Sequence, residues 1–383
     1  MENKYLIQNR ILKEYSEAGG IAKFYGFQPI EAPTLKKSDL DETKTFEQNM
    51  HGAELASLIR IYFDEKGLSG PQPFTCFTER PFKGGHEKKK KNKMECSITS
   101  FGSTKSIIDC LSIMATLAIL QNAGYKDIEI RLNSLGDKES SADFERKTAS
   151  FIRKNWASFP QDLRQNLKKD IFTLSKEVKH DWQPFQQDCP KPIDFLSEYS
   201  RIHFKEILEF LEIMGINYAI DHQLIGDPHF GSETIFAFVS EKTGKDALAL
   251  GTRISRLSKR LGFKKDVSIV NVNIGFKLKK PSRKIKDKNK NPDLFLVQFG
   301  PEAKLKSMLV LEELRKTGKS VVHSLAKDKL GSQIIVAENS GASHLILIGQ
   351  KEAFENSVLL RNVATRSQEL VPISEISKRI KAL

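Results

Sequence analysis

A chain of 383 residues is long enough for two or three domains, each with its own buried core. Its hydrophobic fraction of 39% and aromatic fraction of 9% exclude a disordered polymer, and no run approaches the roughly 20 consecutive apolar residues of a membrane helix. The formal charge of +13 favours polyanionic partners, nucleic acid first among them.

The opening residues MENKYLIQNR lack the apolar centre of a signal peptide, so a cytoplasmic protein with no membrane association is expected. Cys76, Cys96, Cys110 and Cys189 are too scattered for a disulfide framework or a C-x-x-C zinc site. The eight histidines show no H-x-x-x-H or H-E-x-x-H spacing, and no metal is expected.

In chain order, the first clear element is a helix over 107–122, whose apolar residues recur at helical spacing and stop at Gly124. Residues 127–132 alternate as a half-buried strand, and 133–137 (NSLGD) reads as the turn after it. From 138 to 217 the pattern is helical and charged. Its best helix is 197–214, stopped by Gly215. Strands are predicted at Tyr218–Ile220, Thr234–Val239 and Val267–Ile274. A basic linker follows, closed by Pro292. Beyond it, strands at 294–297, 320–323 and 344–348 alternate with helices at 302–316 and 328–340, the pattern of parallel β-α-β units.

Two clusters concentrate the basic charge. Lys83, Lys88, Lys89, Lys90, Lys91 and Lys93 form the first. Residues 277–290 hold eight Lys or Arg, including Lys279, Lys280, Arg283 and Lys284, and form the second. Each reads either as a solvated loop or as a phosphate-contacting surface, and two on one chain shift the balance toward phosphate contact.

Against this layout, several segments resemble the histidyl-tRNA synthetases, a class II aminoacyl-tRNA synthetase family. Tyr25–Pro33 (YGFQPIEAP) is similar to motif 1, a helix leading into a strand with Pro33 at the dimer interface. Phe77-Thr78-Glu79-Arg80-Pro81 with Lys83-Gly84 resembles motif 2. Arg131–Asp137 resembles the segment leading into the family's helical insertion, whose closing helix 188–218 matches in length and pattern. Gly251-Thr252-Arg253 with Leu257, Leu261 and Gly262 resembles the Gly-Gly-Arg-Tyr-Asp helix start. Residues 293–383 look like the anticodon-binding domain.

The resemblance implies an α/β fold of α+β catalytic-like type over 1–276: a class II antiparallel sheet with flanking helices and a helical insertion at about 138–217. A basic linker (277–292) and a C-terminal α/β anticodon-binding-like domain (293–383) complete the layout. It also implies tRNA or other structured RNA as partner, and a homodimer.

The family joins histidine to ATP and transfers it to tRNA, which requires fixed cations on the phosphates. Here the motif 2 arginine position holds Phe77, and the motif 3 Gly-x-Glu-Arg falls on Gly275-Phe276-Lys277-Leu278. The family's Arg-Gly-Leu-Asp-Tyr-Tyr falls on 226–231 (GDPHFG), its Arg-Pro-Glu near His51-Gly52-Ala53, and its Phe-His-Gln near Lys93-Met94-Glu95. Glu79, Arg80 and Arg253 are the remnants of the pocket. Arg253 also reads as a packing residue, Glu79-Arg80 as an internal ion pair, and His229 as a loop residue.

Losing one preorganised donor costs roughly 3 kcal/mol of transition-state stabilisation. The expectation is therefore an RNA-binding or regulatory protein without aminoacylation activity and without a cofactor. Two alternatives stand: a divergent histidine–tRNA ligase, which would use ATP and magnesium, and a protein-binding regulator resembling the synthetase-like subunit of ATP phosphoribosyltransferase. Residues 293–383 weigh against the second.

Overall fold

A computed structural model describes residues 10–42, 49–64, 72–81, 93–177, 188–227, 231–240, 247–277, 283–287 and 291–383. The first elements are strand β1 (Glu14–Tyr15), helix α1 (Glu17–Phe24) and strand β2 (Gln28–Pro29). Ser16 caps α1 by accepting from the Gly19 amide at 3.1 Å, satisfying one orphan donor of the first turn. Helices α2 (Lys37–Glu42) and α3 (Asn49–Asp64) precede the antiparallel strands β3 (Phe74–Pro81) and β4 (Lys93–Phe101). Helix α4 (Ser106–Asn122) then leads to β5 (Ile128–Gly136). It is apolar on nearly every side because it is buried almost throughout.

Between β5 and the next strand lie α5 (Lys138–Lys154), α6 (Gln161–Leu167), α7 (Thr173–Glu177) and α8 (Glu198–Ile213), over the range expected to be helical. Caps from Asp137 and Ser197 start α5 and α8. The body continues through β6 (Tyr218–Ile220), β7 (Gly231–Ser240), β8 (Ala249–Ile254), the one-turn α9 (Leu257–Arg260) and β9 (Ile269–Lys277). Among the described residues, eight strands join in one sheet in the order β2-β3-β4-β9-β8-β7-β5-β6, antiparallel except at its two ends, where β2–β3 and β5–β6 pair in parallel.

Strand β10 (Ile285–Lys286) pairs with β1, so part of the segment read as a linker is built into a small ribbon. The C-terminal unit runs β11 (Leu294–Gln298), α10 (Pro301–Arg315), β12 (Val321–His323), α11 (Leu330–Asn339) and β13 (His344–Ile348). It ends with α12 (Gln350–Phe354), β14 (Ser357–Asn362), β15 (Gln368–Pro372) and α13 (Ile376–Lys381). β12, β11 and β13 are parallel, as expected from the alternating pattern, whereas β14 and β15 add an antiparallel edge.

Two local readings change. The turn expected at 133–137 is strand through Gly136, because β7 pairs along it and a bulge between Ser134 and Gly136 absorbs the irregularity. Gly251-Thr252-Arg253 lies in β8, and the helix starts only at Leu257. Gly251 is required by packing there, since a Cβ would lie 2.2 Å from the Phe236 ring.

One hydrophobic cluster spans both sheets, from Phe77, Ile98, Val272 and Phe236 to Leu296, Leu311 and Ile346. Polar contacts cross the same boundary. The Tyr25 hydroxyl donates to Glu312, and Lys105 Nζ donates to the Ala326 carbonyl at 2.8 Å. Among the described residues, no helix is long and apolar enough to cross a membrane.

Candidate functional site

Alternation along each strand gives the large sheet two unlike faces. The face covered by α1, α4 and α8 carries Phe77, Cys96, Ile98, Val272 and Ile274 in the main apolar cluster. The register places Thr78, Ser97 and Asn273 in one row of the other face, with Thr99 and Asn271 in the next. Ser97 Oγ bonds Asn273 Oδ1 at 2.5 Å, and Asn271 Nδ2 donates to Thr99 Oγ1 at 2.9 Å. Thr78 Oγ1 donates to Glu54 Oε1 of α3 at 2.8 Å. This polar face pairs its donors and acceptors largely within itself.

Arg80 belongs to this second face. Its Nε lies 3.8 Å from Glu54 Oε1, and its guanidinium also donates to the Pro33 carbonyl. Pro33 is buried within its own chain. Arg80 is thus tied to protein acceptors on two sides.

Glu79 and Arg253 lie on the helix-covered side. Glu79 Oε2 accepts from Ser16 Oγ, the cap of α1. Arg253 is 2% exposed and bonds Asp109 through Nε (3.3 Å) and Nη2, the Lys105 carbonyl at 3.0 Å, the Ser103 carbonyl at 2.6 Å and Ser268 Oγ at 2.7 Å. Burial alone would push the Asp109 carboxyl up. The Arg253 charge, with the His203 imidazole beside it, outweighs that and holds it below its ordinary value. His203 Nε2 sits 3.4 Å from Asp109 Oδ2, completing a buried triad between β8, α4 and α8. The structure therefore separates the three sequence-predicted remnants: Arg80 on one face, Glu79 and Arg253 on the other.

Phe77 is 1% exposed and packs in the core. Arg283 and Lys284 are exposed beside β10. The backbone of Lys93 pairs with Lys277, but its side chain lies outside the described atoms, as does that of His51. Lys83, Lys88, Lys89, Lys90, Lys91, His229, Leu278, Lys279 and Lys280 lie outside the described residues.

The sequence reading overlooked Glu54, Asp109, His203 and Glu233. Asp109 had a signal, a single carboxylate inside an otherwise apolar helix, which demands a buried cation. Glu233 had none. It sits at the β7 bulge with φ 51°, accepts from Ser200 Oγ at 3.1 Å, and leaves Oε2 buried without a hydrogen-bond partner.

Burial raises the Glu233 carboxyl above its ordinary value of 4.5, with His203 and the Ser200 bond opposing it only in part. The folded state thus holds this proton more tightly than the unfolded chain does. The stabilisation is complete below the unfolded value and disappears as pH rises through the folded one. Stability from this group is expected to fall as pH climbs above that ordinary value of 4.5. Glu233→Gln should flatten that part of a urea-unfolding pH profile, and an unchanged slope would refute the assignment.

The anticodon-binding-domain family matches residues 293–383. Histidine–tRNA ligase of Halothermothrix orenii is 23% identical, with 95% of this chain and 93% of that protein covered. The enzyme of the same name from Desulfosudis oleivorans is 24% identical, with 92% and 89% covered. The crystal structure of apo histidyl-tRNA synthetase from S. aureus superposes with a TM-score of 0.52 at 20% identity, covering 94% of this chain and 93% of that one.

The fold is that of a class II aminoacyl-tRNA synthetase, with a large antiparallel-rich sheet and a C-terminal anticodon-binding domain. Along nearly its whole length the chain is histidyl-tRNA-synthetase-like.

Proposed function

We propose that this protein is a synthetase-like RNA-binding or regulatory factor that recognises tRNA or another structured RNA and does not aminoacylate it. The observation carrying the proposal is Phe77: at the position where the resemblance calls for a phosphate-gripping arginine, a phenyl ring is packed into the core. Arg253, engaged by Asp109 and two carbonyls, has no guanidinium edge to spare for a ligand. The anticodon-binding domain at 293–383 supports the RNA half of the reading. We place the functional units at 1–276, 277–292 and 293–383, with a cytoplasmic location. A homodimer through the motif 1 segment goes with this reading.

ATP–pyrophosphate exchange with histidine tests the catalytic half, and background exchange is expected. Clear histidine-dependent exchange would establish the second reading, an active ligase, which the names of the similar enzymes favour. Filter binding of total tRNA across a salt series tests the other half. Affinity should fall steeply with salt, as log K against log[salt] with a slope of about −0.9 per phosphate contact. No retention at low salt would remove the RNA role.

A further inference from the structure

The helical insertion carries a groove remote in sequence from the motif segments. It has a volume of about 350 Å³ and is lined by Trp156, Gln161, Arg164, Gln165 and Lys168. The last four recur at helical spacing, i, i+3, i+4 and i+7, so α6 and its C-cap present them on one side. The opposite side of α6 buries Leu163 and Leu167 in a cluster with Ile152, Phe159 and Leu174. Trp156 packs against that same cluster while also lining the groove, which pins its ring in place.

The cations here are uncommitted. Arg164 Nε is buried without a hydrogen-bond partner, and neither Arg164 nor Lys168 has a carboxylate partner among the described residues. A fixed indole supplies an apolar face that accepts any nucleobase. A guanidinium and an ammonium beside it supply phosphate donors, and two glutamine amides offer both donors and acceptors to a base edge. The volume is at the lower end for small-molecule sites, about 300–1,000 Å³, which suits one nucleotide and not a dinucleotide.

We propose that this groove binds a single phosphate-bearing nucleotide, its base stacked on Trp156 and its phosphate held by Arg164 and Lys168. The same chemistry is offered by a free nucleotide and by an unpaired nucleotide of an RNA. The site goes beyond the RNA-binding role assigned above and does not depend on it.

The test uses the full chain carrying Trp182→Phe, which leaves Trp156 as the sole indole of the two in the sequence. Its fluorescence is titrated with AMP, with UMP and with a short single-stranded RNA. Saturable quenching is expected, weakened roughly tenfold or more in Arg164→Ala/Lys168→Ala. Quenching by mononucleotides identifies a free ligand, and quenching by RNA alone identifies an unpaired RNA nucleotide. Absence of saturable quenching with all three ligands, or identical titrations in the double variant, overturns the proposal. Should the double variant lose its far-UV circular dichroism, Lys168→Glu at an exposed position repeats the comparison. Retention of tRNA on filters reads the other role separately.

Discussion

Arg253→Met is expected to destabilise the fold by about 3–5 kcal/mol, the cost of stranding a buried charge. Asp109 is fully buried, and Arg253 is its main compensating charge. Methionine fills much of the arginine volume, so the loss reports the charge and its hydrogen bonds and not a cavity. The carbonyls of Ser103 and Lys105 lose their donor as well. Arg253→Met/Asp109→Leu should recover most of the stability, since replacing both members of a buried pair by apolar groups is close to neutral. Urea unfolding followed by far-UV circular dichroism measures both. A single variant within 1 kcal/mol of the parent would show that the pair is not a structural anchor.

Which parts of this molecule were legible in sequence follows from where the physics is local. The C-terminal β-α-β run was readable because each strand is a short apolar run and Gly318, Gly341 and Gly349 punctuate the elements. Helix 107–122, a long apolar run, and the closing helix of the insertion, a one-sided apolar stripe, were readable because each ends at a glycine stop. β14 and β15 were not, because their pairing is made with each other and β13 and leaves one strand mostly exposed.

The candidate site was harder. Motif likeness singles out positions 77, 79, 80 and 253 by residue type alone. Their facing was not available from motif likeness. Strand register decides that Glu79 meets Ser16 and that Arg80 meets Glu54, and register is set by partners many residues away. The Asp109–Arg253 pair joins residues 144 apart, which no local pattern reports.

The same register argument carries the second large prediction, Phe77→Arg, which puts at this position the arginine that the resemblance to motif 2 calls for. It is expected to cost on the order of 4 kcal/mol or more and to leave histidine-dependent exchange at background. Phe77 lies opposite Ile98 in the ladder and packs in the same apolar cluster, so a guanidinium there enters a core. The nearest carboxylate along that face of the strand, Glu79, already accepts from Ser16 at the start of α1. Phe77→Leu keeps the environment apolar and should cost less than about 1.5 kcal/mol, separating loss of the ring from burial of a charge. Thermal unfolding of the two variants and exchange assays on each make the comparison. An arginine variant that folds at near-parental stability and gains exchange would mean that the sheet can turn this residue toward substrate. The proposal of a non-catalytic role would then fall, because one substitution would have been the whole distance between this protein and a ligase.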